Sequence, residues 1–473
     1  MNRLKTIYLV ALVAVVGLFT ACIEDDVSTN VAHQPQFSTD TLDMGLVFTQ
    51  AGTPTHSFTV YNRYDKVMSI SNISLRNAES GVFRLNVDGF SGKHFENTEI
   101  RPNDSIFVFV EATLPENGGN LPVTITDYLD FETNGVTKTV VLSANGQDVD
   151  RRRGQVVDVD TRLVADKPYQ IFDSLVVAEG ATLTLDPGVT LYFHDGANLV
   201  VHGRLISNGT VENKVNMTGD RTDNVLTDTP FDLMSGQWSG VEFTSTSQGN
   251  YIAHTSIRNT VNGVIIDSIP DSGEPAVTFV NSVLRNAMGS ALTVRHAHVK
   301  AVGCEIADAG IGVLRLIGGN TVFNHCTFAN YYLFSAPGDA IITMWHINPD
   351  SDDLSGMPYA VADFSNCIIY GNGNDLSHGD LTDTQVTLRC CSLKSAGEDD
   401  ANFIACLWDC DPLFYTVRSE YVFDYRLKNE SPAVAAANSA LTLPEAATDW
   451  YGLSRGSMPD LGAYVYTPSE EEE

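Results

Sequence analysis

The side chains with chemistry to offer fall in a few short clusters. Asp350, Asp352 and Asp353 lie in the run Asn348-Pro349-Asp350-Ser351-Asp352-Asp353-Leu354-Ser355-Gly356, and Glu398-Asp399-Asp400 forms a second acidic group. Either set could hold Ca²⁺ through oxygen ligands. Neither has the EF-hand spacing, and a solvated acidic loop is the competing reading. Arg295-His296-Ala297-His298 places two imidazoles at i and i+2 on one strand face. A transition-metal site needs further ligands, so any metal stays unknown. Trp238, Trp345, Trp408 and Trp450 could stack on sugar rings. Trp238 reads as a packing residue. Trp345 stands beside the first acidic run, so Trp345, Asp350, Asp352 and Asp353 are the expected ligand-binding set. Arg285 and Arg295 could abstract a proton or could form salt bridges at the edge of a sheet. No catalytic group stands out.

These residues must be positioned by a repeat. His254-Thr255-Ser256-Ile257-Arg258-Asn259 and Asn281-Ser282-Val283-Leu284-Arg285-Asn286 share a pattern with Gly303-Cys304-Glu305-Ile306-Ala307-Asp308. His325-Cys326-Thr327-Phe328-Ala329-Asn330, Asn366-Cys367-Ile368-Ile369-Tyr370-Gly371 and Cys390-Cys391-Ser392-Leu393-Lys394-Ser395 continue it. A small or thiol side chain precedes a large apolar one by two positions, and the small-residue column recurs at 27, 22, 22, 41 and 24 residues. That period with alternating burial marks a solenoid. Ile257, Leu284, Ile306, Phe328, Ile369 and Leu393 are expected to form an inward column. Asn259, Asn286, Asp308 and Asn330 are expected at a turn, where Asn tolerates left-handed geometry. Cys304, Cys326, Cys367 and Cys391 read as a stack of free inward thiols. Cys406 and Cys410 are the thiols expected to oxidise first, with each other or with Cys390; connectivity stays open. The 41-residue step implies one extra coil with a protruding loop at 348–356.

With 28 Lys and Arg against 59 Asp and Glu, the net charge of the 473 residues is −31. Such a chain repels nucleic acid and anionic membrane surfaces, so no nucleic-acid partner is expected. Its length implies more than one domain. Arg3 and Lys5 precede an apolar run from Ile7 to Phe19, too short to span a bilayer and typical of an export signal. The signal ends Leu18-Phe19-Thr20-Ala21-Cys22, which resembles a bacterial lipobox. The resemblance implies cleavage after residue 21 and lipidation of Cys22, the only link to a membrane; an ordinary signal peptide cut elsewhere is the alternative. Ile23-Glu24-Asp25-Asp26 is similar to the export signals of some outer-membrane surface lipoproteins. The expected address is the outer membrane, at the cell surface; a solvated acidic tether facing the periplasm is the alternative.

Residues 22–36 read as a tether. Residues 37–147 carry short alternating segments, among them 57–61, 69–75, 106–110, 128–131 and 139–142, separated by turns such as Asn134-Gly135. This predicts a β-sandwich. Leu42-Asp43-Met44-Gly45, Phe58-Thr59-Val60-Tyr61-Asn62, Pro102-Asn103-Asp104-Ser105, Asp130-Phe131-Glu132-Thr133-Asn134 and Val141 to Gly146 resemble the Hydin-type immunoglobulin-like domains of bacterial surface proteins. The resemblance implies a spacer or adhesion module. Residues 148–160, with Arg151-Arg152-Arg153, read as a hinge whose charges pair with nearby Asp.

From residue 161 to 466 the repeats, Gly180–Gly203, the run 366–371 and Pro459-Asp460-Leu461-Gly462-Ala463-Tyr464 resemble right-handed parallel β-helix proteins. Residues 161–175 and 421–466 are the expected end caps, the latter with a helix-prone stretch at 433–440, and 467–473 is an acidic tail. The fold expected is therefore all-β, an Ig-like sandwich followed by a right-handed parallel β-helix. Parallel β-helices include pectate lyases and polygalacturonases. The polygalacturonase runs do not occur here in order, and fold alone does not imply activity. The sequence points first to a surface glycan- or ligand-binding protein without catalysis, with Ca²⁺ as the one cofactor it could hold. A polysaccharide lyase or hydrolase, and a structural adhesion protein, are the alternatives.

Overall fold

The structure is a computed structural model that describes residues 26–226, 229–345, 361–379, 381 and 384–468. Cys22, Asp350, Asp352 and Asp353 lie outside the described residues. The chain is nearly all β and divides into two compact units at Gln147/Asp148.

The first unit has two five-stranded sheets around one core. One sheet orders Gln36–Phe37, His56–Tyr61, Ser105–Ala112, Phe83–Val87 and Phe90–Gly92, all antiparallel. The other contains Thr41–Phe48, Val136–Gln147, Val123–Thr133, Met68–Leu75 and His94–Ile100. Period-two alternation decides the facing: Ile106, Val108, Val110 and Ala112 are buried while Phe107 and Phe109 look outward. Asn134 and Gly135 take φ of 51° and 77°, the geometry of a two-residue hairpin turn. Asn62 is buried, and its amide donates to the carbonyls of Ile100 and Arg101 at 3.0 Å, pinning the corner after its strand.

The second unit is built from large parallel sheets of seventeen and ten strands, compatible with a solenoid. Each regular coil adds three strands. Val283–Ala287, Leu292–Arg295 and His298–Val302 lie beside Glu305–Ala309, Leu314–Ile317 and Asn320–Asn324 in parallel register. Ile257, Leu284, Ile306, Phe328, Ile369 and Leu393 pair consecutively and are all buried, as expected.

The thiol column follows the same register. Cys304, Cys326, Cys367 and Cys391 are free and buried, and the Cys326 amide donates to Cys367 Sγ at 3.5 Å. Cys406 extends the column, because Ser392 bridges Leu407 and so places Cys391 beside Cys406. All seven described thiols are free, so no Cys390, Cys406 or Cys410 disulfide is present.

Side chains in this column share one bond. Thr255, Ser282, Cys304, Cys326, Cys367 and Cys391 each donate to the carbonyl two residues back. The residue between bends left-handed: φ is 42° at His254, 43° at Asn281, 66° at Gly303, 49° at His325, 56° at Asn366 and 52° at Cys390. A short donor therefore ties each corner of the coil, which explains why the repeat wants Thr, Ser or Cys there. At the next corner Asn259, Asn286 and Asp308 are also left-handed. Asn330 is not; its amide instead clasps the Ala309 backbone on the preceding coil.

Three expectations about layout need correction. Thr327 pairs directly with Ile368, and Asn320–Asn324 pairs with Val361–Ser365, so the 41-residue step contains no extra coil. Against the preceding coil the additional length is split, the larger part between Trp345 and Val361 and the smaller between Asn330 and Ile342.

The stretch expected as a hinge is a strand, Asp150–Val157, parallel to Tyr169–Val177. Its arginines are absorbed at the sheet surface, Arg152 by Asp150 and Arg153 by Asp173, with Arg151 on Gln170.

The segment 421–466 does not cap an end. It runs back along the flank of the stack, and the corner residues hold it. The Asn438 amide donates to Asn366 Oδ1 at 2.9 Å, Leu443 to Asn324 Oδ1 at 3.1 Å, and Asn281 Nδ2 to the Thr448 carbonyl at 3.1 Å. Trp450 ends this strap beside His254, with Lys214 4.6 Å from its ring centre. Because these backbone groups bond to the stack, 433–440 forms no α-helix; only single 3₁₀ turns occur at Ser439–Leu441 and Pro444–Ala446. Trp408 closes the last coil, packed on Phe403 at 5.1 Å.

Candidate functional site

The expected ligand set is not brought together. Trp345 ends the strand Ile342–Trp345 opposite Ile317, but its side chain lies outside the described residues, as do the three aspartates. His296 occupies a left-handed corner, and His298 leaves it for Asp271 at 3.3 Å. Asp399 accepts from the Ala405 and Cys406 amides and the Trp408 indole, and Asp400 from Asn402 and Phe403, so both shape turns. Among the described residues no group of three or more His, Cys, Asp or Glu could hold a metal ion. Trp238 is buried against Phe193 at 4.0 Å, as expected of a packing residue.

A different site lies on the outward side of the repeat strands. Arg258 and Arg285 pair on adjacent coils, with Asn259 and Asn286 after them. The two amides are linked, Asn286 Nδ2 to Asn259 Oδ1 at 2.9 Å. Both also hold the turn 231–234: Asn259 donates to the Asp232 carbonyl and Asn286 to the Leu233 carbonyl, each at 2.9 Å. Arg258 pairs with Asp232 at 2.7 Å. The turn and the returning chain enclose a cleft of about 140 Å³ whose walls include Arg258, Arg285, Asp308, Tyr332, Tyr421 and Phe423.

Beneath the cleft is a buried charge cluster. Arg285 reaches Glu305 at 3.4 Å and Asp308 at 3.5 Å. Tyr464 donates to Glu305 at 2.6 Å and Tyr425 to Asp308 at 2.5 Å. The Tyr331 amide adds a bond to Asp308 at 3.0 Å. Burial pushes both carboxyls above their ordinary range, opposed by the Arg285 guanidinium and the tyrosine hydroxyls. Arg285 also lies 5.6 Å from the Phe423 ring centre. At the rim, Tyr421 is half exposed and holds φ of 61°. Positive φ at an aromatic residue is uncommon, and such strain clusters at ligand sites.

Sequence reasoning singled out Arg285 and its salt-bridge role but missed its companions. One signal was available. Glu305 places a carboxylate directly after the thiol position, where the aligned rows carry Ser256, Val283, Thr327, Ile368 and Ser392. Tyr421, Phe423, Tyr425 and Tyr464 lie outside the repeat and carried no such mark.

No family model matches the chain, and no curated protein matches it. Among solved structures, a family 123 glycoside hydrolase from Clostridium perfringens, studied for glycolipid glycan hydrolysis, is similar at 8% identity and a TM-score of 0.17. The likeness covers 24% of this chain and 25% of that one, a quarter of its length, and carries no argument about fold or function.

Proposed function

We propose that this chain is an exported lipoprotein, anchored through Cys22 at the outer membrane surface, that binds a glycan without cleaving it. On this reading the first unit is an Ig-like spacer and the second a right-handed parallel β-helix that presents the ligand site. The observation that carries the proposal is the cleft, where Arg258, Arg285 and Asp308 meet Tyr332, Tyr421 and Phe423. Planar polar forks beside aromatic faces suit a sugar ring, which offers hydroxyls at its edge and C–H groups on its faces. Drug-sized ligands occupy about 300–1,000 Å³. A cleft of about 140 Å³ admits one residue of a longer chain.

Binding is favoured over hydrolysis by the state of the two acids. Arg285 and Tyr464 take the two oxygens of Glu305; Arg285, Tyr425 and the Tyr331 amide take those of Asp308. Both acids are thereby held in structural bonds and are only 4% exposed, so neither is placed to activate a water or to protonate a glycosidic oxygen. A glycan array probed with the full chain tests this, read for retention and for release of soluble fragments. Retention without release is expected, and R258A and Y421A should each weaken it tenfold or more for at least one bound glycan. Release of fragments, or retention of every bound glycan unchanged in both variants, would overturn the proposal.

A further inference from the structure

A second site stands in the first unit. On the outward face of the sheet containing Ser105–Ala112, Phe107 and Phe109 are 52% and 39% exposed. Their rings are stacked, 6.0 Å between centres and 26° between planes. Polar side chains surround them in register: Ser57 and Asn86 flank Phe109, and Thr59 flanks Phe107. Beside Phe109 opens a depression of about 910 Å³, and its far wall is a prearranged polar fork. Arg84 donates to Glu111 at 3.2 Å and to Thr113 at 2.8 Å, and Thr55 donates to Glu111 at 2.7 Å. Those bonds hold the Glu111 carboxyl below its ordinary range, so it stays an acceptor. Asn86 and Ser91, joined at 3.2 Å, complete the floor.

We infer that this face is a carbohydrate-binding platform for an extended, neutral hexose chain. The exposed surfaces of the two stacked rings offer apolar contact to the C–H groups of a sugar chain laid along them. The Arg84–Glu111 fork supplies a donor and an acceptor to vicinal hydroxyls at their edge. The two cations of the lining are both paired, Arg84 with Glu111 and Lys93 with Glu79 at 3.9 Å, and the net charge of −31 disfavours a polyanion, which selects a neutral chain. A protein partner fits less well. It would have to desolvate the Arg84–Glu111 pair, which is costly, whereas a hydrated sugar adds hydrogen bonds to the pair and leaves its outer side in water. This site is independent of the cleft in the second unit and needs neither Arg258 nor Tyr421.

The test uses the full chain with cellohexaose, mannohexaose and laminarihexaose as probes, followed by titration calorimetry and affinity electrophoresis. At least one probe should bind the wild-type chain, with a tenfold or greater loss in F107A and F109A and a smaller loss in E111Q. All three variants should unfold at the wild-type temperature, because the substituted side chains are exposed. R258A should leave this binding unchanged, which separates failure here from failure of the cleft. Absence of binding to all three probes, or equal binding by wild type and F109A, overturns the inference. So does a concentration-dependent dimer in light scattering that F107A abolishes, since it assigns the face to a second copy.

Discussion

His325 makes the second unit sensitive to acid. Its ring is fully buried under the strap, with Nε2 2.9 Å from Thr442 Oγ1 and 3.1 Å from Asn366 Nδ2. The Asn366 amide nitrogen can only donate, so Nε2 must accept and the ring is neutral. Burial, with Arg455 adding repulsion, pushes its pKa from the ordinary 6.5 down to about 3. The unfolded chain therefore binds more protons than the folded one between these values. The stability His325 confers is complete above about pH 6.5 and is lost as pH falls towards 3. Linkage between 6.5 and 3 gives a loss of about 3 kcal/mol from pH 7 to pH 4. Glu305 and Asp308 work in the opposite direction, since raised carboxyls favour the folded state as pH falls. A comparison of slopes removes them. H325N is the suitable variant, because Asn281 and Asn366 occupy the same left-handed corner on other coils of the stack. All four tryptophans, Trp238, Trp345, Trp408 and Trp450, lie in the second unit, so their fluorescence in urea reports it alone. Wild type should lose about 3 kcal/mol more than H325N between pH 7 and pH 4. Equal slopes, or a His325 resonance titrating above pH 6, would refute the reasoning.

Phe328 sits in the inward column between Ile306 and Ile369, edge-on to Phe323 at 5.4 Å. F328A should cost about 3–5 kcal/mol in the same urea assay, and a loss below about 1 kcal/mol would mean the column does not bear the stack. Cys304, Cys326, Cys367 and Cys391 should resist alkylation in the native chain and react fully in denaturant, as residue-resolved mass spectrometry would show; burial holds Cys304 and Cys367 in the thiol form. Rapid native labelling at any of the four would place it outside the core. Y425F removes a bond to a buried carboxyl and should cost about 1.5–3 kcal/mol. An unchanged urea midpoint would show that the tyrosine hydroxyl does not hold the returning chain.

What could be foreseen was what repeats. A coil must present one small donor at each corner and one large apolar residue inward, so the same constraint falls on Thr255, Ser282, Cys304, Cys326, Cys367 and Cys391 and leaves a periodic trace. Burial alternation likewise marked the strands of the first unit. The trace fails where a constraint acts once. The step from Cys326 to Cys367 looked like an added coil because spacing counts residues and cannot tell a coil from an insertion. Residues 150–157 looked like a hinge because a charged run reads as solvated, and only a partner strand turns it into a first rung.

The cleft was hidden for a related reason. Its floor comes from the repeat, but Tyr425 meets Asp308 across 117 residues and Tyr464 meets Glu305 across 159. Nothing in a local window signals a chain that turns back along the stack. The outward residues that receive it are small, Ala307 and Ala329, and cluster with Tyr425, Ala433, Leu461 and Ala463. In the aligned rows Arg258 and Arg285 stand at the position that Ala307 and Ala329 occupy two coils on. That switch from long and charged to small and apolar marks where the flank stops facing water and begins to carry the strap. The cleft lies at this boundary, where the outward Arg258 and Arg285 of the stack meet Tyr421 and Phe423 of the returning chain. A ligand bound there would touch both, so occupancy should slow opening of the strap. Hydrogen exchange at the amides of Asn438 and Leu443, which bond to Asn366 and Asn324, would register it. Exchange at those amides unaltered by a saturating ligand would uncouple the strap from the site.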